Sequence, residues 1–439
     1  MIAFLAYYHS FTILGILSMN IGLASATGLV VASMIGSGVF STSGFLLADL
    51  GSPWFVLIAW AVGGVQAALG ALCYGALARR IPESGGEYCF LSRTLHPAAG
   101  YVAGWISLLV GFTAPLAAAA FAFGKYAQPW LGNVSPAFSG AILIVIFAVI
   151  HAVEVRRGAQ VQNLAVLINV ALIIVFVTLA FVQHKPYIVE SYSEFSVSSF
   201  GISLVWISFS YSGWNAAVYI GGEVRDPEQN LPRSLLLGTI FVTILYLALN
   251  AVFVFSAPLT ELSGQLEVGR IAARAIGGSV LEEAVSVIIA LVLISSASSL
   301  VMAGPRVTAK MAMDGYLPAW LTVADGPPRA AIAIQAALAL ILLWTSSFEA
   351  LLTYIGFTLG ISTAVTVVAL LVLRHREGKS VRIPGFPIVP WLFLCGVVAM
   401  TAFAVVQKPL ECLVGFGTIL AGLIAWFFNR RAVVTKINC

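Results

Sequence analysis

The chain has 439 residues, of which 60% are hydrophobic and only 9% are charged, and its mean hydropathy is +1.00. These values exclude a water-soluble protein and indicate an integral membrane protein, because most of the length must face lipid or other apolar helices. The formal net charge is +4, and no run of Lys or Arg is dense enough to bind nucleic acid.

The residues that most often carry enzyme chemistry form no recognisable site. The five cysteines contain no CxxC pair, and the five histidines contain no HExxH motif. We therefore expect no metal, no cofactor and no enzymatic reaction.

The first 18 residues, "MIAFLAYYHSFTILGILS", are apolar, but they lack the basic start and the small-residue cleavage site of a secretory signal. They are either a helix lying in the membrane interface or translated upstream sequence with a natural start at Met19. We favour the second interpretation.

The rest of the chain divides into apolar runs of helical length. These runs are about 20 residues long, which suits membrane-spanning helices and not the alternating short strands of a barrel. The longest connection, residues 257–283, has helical periodicity and is expected to lie across the membrane surface. The sequence thus predicts an all-α membrane protein with twelve transmembrane helices, at about residues 22–46, 53–79, 97–124, 137–153, 160–183, 200–221, 234–256, 284–306, 329–346, 349–373, 388–407 and 411–429.

The distribution of basic residues predicts the orientation. With the N-terminus placed inside, seventeen Lys and Arg residues fall on the inner side and five on the outer side, whereas the acidic residues divide nine and nine. This asymmetry follows the positive-inside rule, and it predicts a protein of the cell membrane with both termini in the cytoplasm.

Two spans are interrupted near their centres. The first contains "GSG" at residues 36–38, and the sixth contains "SYSG" at residues 210–213. Such interruptions at corresponding places in two halves of a chain are typical of transporters built from inverted repeats, with a site near the membrane midplane. One motif alone is equally explained by close helix packing through small residues. Two matched breaks favour the transporter fold.

Five stretches resemble the signatures of one family: "GLVVASMIGSGVF", "IPESGGEYCFLSR", "FSYSGWNAAVYIGGEVRDPEQNLPRS", "GPRVTAKMAMDGYLP" and "RIPGFPIVP". In this order they are similar to the amino acid–polyamine–organocation superfamily, closest to its L-type amino-acid transporter branch. The resemblance implies two inverted five-helix repeats at 19–183 and 200–373, two peripheral helices at 388–429, a cytoplasmic tail at 430–439 and alternating access for an amino acid or a related amine.

The resemblance also implies a site in which the unwound backbone binds the substrate. Free N–H groups of the Gly-Ser-Gly turn would bind the carboxylate, carbonyl groups on both sides of the breaks would accept hydrogen bonds from the ammonium, and glycine would permit the required φ angles and a close approach. The aromatic ring of Phe209 would close over the substrate, although it and Trp214 could instead pack in the core or face lipid. Asn215 would either bind the amine or fasten the unwound segment. The implied substrate-binding residues are Met34, Ile35, Gly36, Ser37, Gly38, Phe209, Ser210, Gly213, Trp214 and Asn215.

Other positions bear on coupling and gating. Many relatives have a lysine in the fifth helix that replaces a sodium ion, and alignment puts Asn169 there. Glu223 is either a proton-linked gate that pairs with an inner arginine or a solvated charge at a helix end. Gly85, Gly86 and Glu87 are expected to shape a turn without binding substrate. The eighth span contains Ser295, Ser296, Ser298 and Ser299, which either bind sodium through hydroxyl oxygens or pack closely.

The spans that would surround the substrate side chain contain no central charge, which favours a neutral amino acid. Four consecutive alanines at 117–120 in the third helix suggest room for an apolar group if that face points inward, although aromatic rings could also hold a cationic substrate. We therefore predict exchange or facilitated diffusion of neutral amino acids. A sodium- or proton-coupled symporter of amino acids or polyamines is the alternative, and a membrane sensor is disfavoured because we find no output domain.

The predicted partners are the amino-acid substrate and membrane lipid. Animal members of the L-type branch pair with a single-span glycoprotein through an extracellular cysteine, but no cysteine lies in the outer loop between the third and fourth spans. We expect no disulfide-linked partner of this kind.

Overall fold

The computed structural model describes residues 21–153, 158–183, 187, 194–323 and 326–437. The predicted N-terminal extension at residues 1–18 lies outside the described residues. Within the described ranges the chain is helical, with no β-strand, and an isolated bridge joins Ile21 to Val224.

The first half contains helices that begin where proline is best tolerated. Pro53, Pro97 and Pro136 each stand at or beside the first position of a helix, where a missing N–H costs nothing. A π-helical turn, Ser107–Thr113, joins two of the helices into one continuous rod. The helices are α1 (Leu23–Met34), α2 (Ser37–Ser41), α3 (Ser43–Leu50), α4 (Pro53–Arg80), α5 (Gly86–Thr94), α6 (Pro97–Ile106), α7 (Ala114–Leu131), α8 (Pro136–Val153) and α9 (Gly158–Gln183).

The second half contains longer helices. The 46-residue helix α13 departs from helical geometry at Gly277 and Gly278. The segment predicted to lie across the surface therefore consists of α12 and the part of α13 before this bend. The helices are α10 (Val197–Ser210), α11 (Pro227–Val254), α12 (Leu259–Leu262), α13 (Val268–Met313), α14 (Arg329–Thr345), α15 (Phe348–Glu377), α16 (Ile388–Gln407) and α17 (Pro409–Ile437), with 3₁₀ segments at Ala216–Glu223, Ala319–Leu321 and Gly378–Ser380.

The lengths and hydropathy of these helices suit a membrane. In the described part of the chain, nine helices are long and apolar enough to cross a bilayer, and Leu167–Gln183, Val197–Ser210 and Arg329–Thr345 are shorter apolar helices. Many of their large apolar side chains are exposed on the outer surface of the bundle, where lipid would cover them. The protein is a multi-pass helical membrane protein.

Both predicted interruptions are present. The first break consists of Ile35 and Gly36, which are extended between α1 and α2, and the helix then continues from α2 into α3 through Thr42, whose backbone is helical. The second break is the turn at residues 211–215, between α10 and the 3₁₀ segment at 216–223. Each break frees backbone groups in the middle of the bundle.

Glycine lets the two breaks touch. A Cβ atom on Gly38 would lie 2.6 Å from the Cα of Ser210, and one on Gly213 would lie 2.4 Å from the carbonyl oxygen of Ser33. Gly213 also has a φ of 100°, which side chains rarely adopt. The φ of Gly36 is −142°, which any residue can adopt. At the Gly-Ser-Gly turn, glycine therefore permits the expected close approach, whereas the expected need for a special φ angle is not found at Gly36.

This contact predicts different effects of alanine at two glycines of the same broken helix. Gly38→Ala forces its Cβ against the backbone of Ser210, whereas a Cβ at Gly28 meets no atom within 4 Å. Overpacking of this kind costs about 1–3 kcal/mol. We expect Gly38→Ala to lower the thermal unfolding midpoint in detergent and Gly28→Ala to leave it unchanged. Equal midpoints for the two variants would show that the breaks can separate without loss of stability.

Candidate substrate site between the two broken helices

A cavity of about 580 Å³ lies between the two breaks, within the range of small-molecule sites. Side chains from α4, the π-helical turn, α13, α15 and α16 complete its wall. Ile35 is buried and does not line it. The predicted substrate-binding residues that line the cavity are Met34, Gly36, Ser37, Gly38, Phe209, Ser210, Gly213, Trp214 and Asn215.

The first break presents backbone donors to the cavity. The N–H groups of Gly36, Ser37 and Gly38 have no acceptor within the described part of the chain. They stand at the start of the helical stretch formed by α2 and α3, where the helix dipole favours negative charge. This arrangement suits an anion such as a carboxylate.

The freed carbonyl groups are mostly occupied, in contrast to the donors. The hydroxyl oxygen of Tyr246 in α11 lies 2.6 Å from the carbonyl oxygen of Met34 and 3.2 Å from that of Ser210. The carbonyl of Phe209 accepts a hydrogen bond from the N–H of Ser212 (2.9 Å). Of the four carbonyls expected to bind an ammonium group, the one at Ile35 accepts no hydrogen bond from any described residue.

Sequence reasoning did not identify Tyr246. The residue is one tyrosine in the apolar run "ILYLALNAVF", and nothing local distinguishes it from a core aromatic residue. In the structure it is 1% exposed and packs edge-on against Trp60, with ring centroids 5.5 Å apart. Its hydroxyl group ties the two breaks together.

The two aromatic residues of the second break lie inside the protein. Phe209 is 5% exposed and Trp214 is 8% exposed, and both line the cavity. The indole ring of Trp214 meets the ring of Tyr74 edge-on, with centroids 4.7 Å apart. The lipid-facing alternative is therefore excluded for both residues.

The side chain of Asn215 is hydrogen-bonded to the buried carboxylate of Glu87. Its Nδ2 donates to Oε1 of Glu87 (2.9 Å), which also accepts from the hydroxyl of Tyr74 (2.7 Å), and Oε2 accepts from the hydroxyl of Tyr219 (3.3 Å). Glu87 is 4% exposed and lines the cavity. Burial raises the pKa of Glu87 above its ordinary value, and the hydrogen bonds from these three residues partly offset the increase.

The turn before Glu87 has the predicted shape. Gly85 and Gly86 have φ angles of 131° and 58°, and a Cβ on Gly86 would strike the ring of Tyr219 at 2.6 Å. The expected role of Glu87 as a turn residue was incomplete, because the turn directs its side chain into the protein. The sequence signal that could have indicated this inward-pointing carboxylate is a glutamate directly after the turn residues "SGG".

The four serines of α13 do not converge. Ser296 and Ser299 line the cavity, and the hydroxyl of Ser296 would lie 3.3 Å from a Cβ on Gly36. Ser298 is hydrogen-bonded to Nε2 of His151 in α8 (3.0 Å), and Ser295 is buried away from the cavity lining. Ser296 and Ser299 are three residues apart and share the side of α13 that lines the cavity, whereas Ser298 packs toward α8 through His151.

The remaining coupling candidates lie outside the cavity lining. Asn169 is buried in α9, which packs against α11 and α13. Glu223 is exposed at the end of the 3₁₀ segment, and its carboxylate acts electrostatically on the guanidinium of Arg306. Arg306 does line the cavity.

The alanine run does not provide room for a side chain. Ala117, Ala118, Ala119 and Ala120 are fully buried, and Ala120 packs against Gly140 of α8. The continuous rod formed by α6, the π-helical turn and α7 instead lines the cavity with Ser107, Gly111, Phe112 and Pro115. The expected alanine-lined pocket depended on that face pointing inward, and it is not formed, because the four alanines are buried outside the cavity lining.

The bridging hydroxyl of Tyr246 can be tested by its removal. Tyr246→Phe leaves the carbonyl of Met34 buried without this donor, which we expect to cost about 1 kcal/mol. Tyr354→Phe is the matched control, because its hydroxyl bonds Thr418 between α15 and α17, away from the breaks. The thermal midpoint should fall further for Tyr246→Phe than for Tyr354→Phe. A larger fall for the control would contradict the bridging role.

Comparison with known proteins agrees with this geometry. A family model described as "Amino acid permease" matches residues 21–428. The chain is similar to the large neutral amino acids transporter small subunit 2 of Rattus norvegicus, with 29% identity over 94% of this chain and 81% of that protein. It is also similar to the serine/threonine exchanger SteT of Bacillus subtilis (strain 168), with 29% identity over 94% and 98%. The b(0,+)-type amino acid transporter 1 of Rattus norvegicus is 30% identical over 94% and 88%.

Proposed function

The chain belongs to the amino acid permease family, and we propose that it is a secondary transporter that moves amino acids by exchange or facilitated diffusion. Its resemblance to the L-type branch of the amino acid–polyamine–organocation superfamily is confirmed by the similarity to the transporters named above. The observation that carries the proposal is the row of unpaired N–H groups at residues 36–38, which faces a cavity of about 580 Å³.

In this proposal the substrate is held as a zwitterion by fixed backbone dipoles. The N–H groups of the first break bind its carboxylate. The second lone pairs of the carbonyls at Met34 and Ser210, two residues that line the cavity, bind its ammonium group. No charged side chain at the breaks is needed, which avoids the cost of burying an unpaired charge within the membrane.

The proposed architecture has twelve spans: the nine long helices and the three shorter apolar ones. The two breaks occupy equivalent places in two inverted five-helix repeats, and both termini lie in the cytoplasm. The cavity reaches Arg306 and Lys310, on the side that the positive-inside rule assigns to the cytoplasm. At the opposite end of the first broken helix, the N–H of Gly264 donates to the carbonyl of Gly44 (2.7 Å). These observations support an inward-facing state in the cell membrane.

The proposed substrate is a neutral amino acid. The charged residues that line the cavity are Glu87, Arg306 and Lys310; Glu87 is occupied by three donors, and Lys310 pairs with Asp314 (2.6 Å). Several hydroxyl groups also line the cavity, including those of Ser107, Ser208 and Thr363. We therefore place uncharged side chains, including small polar ones, ahead of cationic ones.

The proposed coupling is exchange or facilitated diffusion. Asn169 cannot carry the charge of the lysine found in many relatives, and of the four serines Ser296 and Ser299 line the cavity as the remaining candidates for a sodium site. Glu223 and Arg306 are the candidates for an inner gate, since they carry opposite charges and the carboxylate of Glu223 acts electrostatically on the guanidinium of Arg306. We further propose that the protein works without a disulfide-linked glycoprotein partner, since Cys73, Cys89 and Cys412 are buried and the exposed Cys395 lies within the apolar helix α16.

The carboxylate site predicts how analogues compete. Purified protein in liposomes preloaded with a neutral amino acid should take up the labelled amino acid faster than empty liposomes. Amides and decarboxylated amines should compete at least ~10-fold more weakly than the parent, because hydrogen bonds to a charged carboxylate are worth about 1.5–3 kcal/mol. Undiminished competition by the amines would indicate a polyamine carrier, and binding without any flux would indicate a sensor.

Ion coupling is tested by initial uptake under an inward proton gradient, an inward sodium gradient or neither. We expect uptake to be independent of both gradients in the wild type, because the titratable lysine is absent from α9. Asn169→Lys is the matched variant, and a proton dependence that appears only in this variant would support the assignment. Strong stimulation of the wild type by protons alone would transfer the coupling role to another group, with Glu223 the first to replace by Gln.

A further inference from the structure

We propose that Glu87 is a positioning residue that holds the carboxamide of Asn215 with its oxygen toward the cavity, so that the site selects amino acids whose side chain donates a hydrogen bond. This inference rests on the proposed transport function and specifies the substrate class at the same site. It follows from the geometry of one buried carboxylate and its three donors.

The orientation of the amide follows from what a carboxylate can do. An ionised carboxylate only accepts hydrogen bonds, whereas a carboxamide has a donor end and an acceptor end. Glu87 must therefore take the NH₂ end of Asn215, and the opposite orientation would set two acceptors against each other. The contact between Nδ2 and Oε1 is 2.9 Å. The negative charge of the Glu87 carboxylate thus fixes the orientation of the Asn215 carboxamide.

The other end of the amide remains available to a ligand. Asn215 lines the cavity and is partly exposed, and its Oδ1 receives no hydrogen bond from any side chain or backbone group in the described ranges. Asn215 lies two residues after Gly213, where the second break touches the first at Ser33. Asn215 and the Gly-Ser-Gly turn proposed to bind the carboxylate line the same cavity.

Glu87 is itself held from several elements. Tyr74 reaches it from α4, while Tyr219 and Asn215 reach it from the second broken helix. The preceding turn is fastened by the hydroxyl of Ser84, which accepts from the N–H of Gly222 (3.0 Å). Glu87 lines the cavity, but both of its carboxylate oxygens are already hydrogen-bonded to these donors, so we propose that it acts on a ligand through Asn215.

The consequence for selectivity is a preference between substrates of equal shape. Threonine and valine differ by a hydroxyl in place of a methyl group, and only threonine can donate to Oδ1 of Asn215. When one of two such ligands leaves a polar group of the site without a hydrogen bond, that ligand binds about 10- to 100-fold more weakly than the other. The proposal therefore expects threonine to compete more strongly than valine by a factor in this range.

The first test is the ratio of inhibition constants for threonine and valine, measured in liposomes at pH 7.5. Glu87→Gln replaces the acceptor-only group by one that also donates, so Asn215 can turn and the ratio should fall to within about threefold of unity. Glu87→Asp keeps an acceptor-only group and should retain part of the preference. Glu83→Gln is the matched control, because Glu83 lies two residues before Gly85 of the same turn and pairs with Arg93 on the surface.

The ratio of inhibition constants for threonine and valine distinguishes a positioning role of Glu87 from a simple loss of folded protein. A variant that only reduces the amount of folded protein lowers uptake of both amino acids and leaves the ratio of inhibition constants unchanged. Asn215→Ala should lower the ratio as far as Glu87→Gln does, and the double variant should lower it no further. This non-additivity is expected if Glu87 acts through Asn215.

A second test needs no variant that might misfold. Protonated Glu87 can donate, so acidification should lower the wild-type ratio as Glu87→Gln does, and it should do so above pH 4.3, the ordinary pKa of a glutamate, because burial raises the pKa of Glu87. The titratable groups that bond Glu87 are the phenols of Tyr74 and Tyr219, which do not ionise in this range. Arg306 and Lys310 of α13 are the other charged residues that line the same cavity. In Glu87→Gln the ratio should not change with pH.

The outcomes are distinguishable from a failure of the proposed function. Equal inhibition by threonine and valine in a wild type that exchanges amino acids would overturn this inference and leave transport intact. An unchanged ratio in Glu87→Gln, with discrimination preserved, would overturn the positioning role alone. A wild type that neither binds nor exchanges any amino acid would overturn both.

Discussion

The structure depends on one constraint: a helix interrupted inside a membrane exposes backbone groups that no water can satisfy. The chain meets this constraint by placing its two breaks against each other. Glycine at positions 38 and 213 removes the side chains that would keep the breaks apart. One tyrosine hydroxyl then shares its proton between a carbonyl from each break. The N–H groups at residues 36–38 keep no acceptor among the described residues, and we propose that a carboxylate binds there.

The same constraint explains why the polar groups around the cavity are arranged in chains. The hydroxyl groups of Thr42 and Ser210 bond each other (3.0 Å), and Asn215 leads to Glu87 and on to two tyrosines. Buried polar groups are costly unless they are hydrogen-bonded. Ser210 and Asn215 thus have partners of their own, and these contacts fix amide and hydroxyl directions at the cavity wall. In our proposal, binding selectivity arises from those directions, and not from the list of residue types.

Several features of the site could be anticipated from residue order. The two breaks were predictable, because Gly and Ser in the middle of long apolar runs weaken a helix locally. The turn at Gly85 and Gly86 was predictable for the same local reason. The hydrogen-bond donor to the carbonyls of Met34 and Ser210 was not predictable, since Tyr246 is distant in sequence and resembles any buried aromatic residue. The position of the alanine run relative to the cavity was not predictable, because the face that a helix turns to a cavity is assigned only by the helices packed around it.

The sequence by itself determined the class of protein, the helical content, the places of the two breaks and the family, because all of these follow from local composition and contiguous motifs. The tertiary structure decided which backbone groups remain unpaired, which face of each helix lines the cavity and how Glu87 is buried. These are contacts between residues as far apart as Glu87 and Asn215 or Met34 and Tyr246. Hydrogen bonds are short-ranged and directional, so their pairing is settled only when the helices have packed.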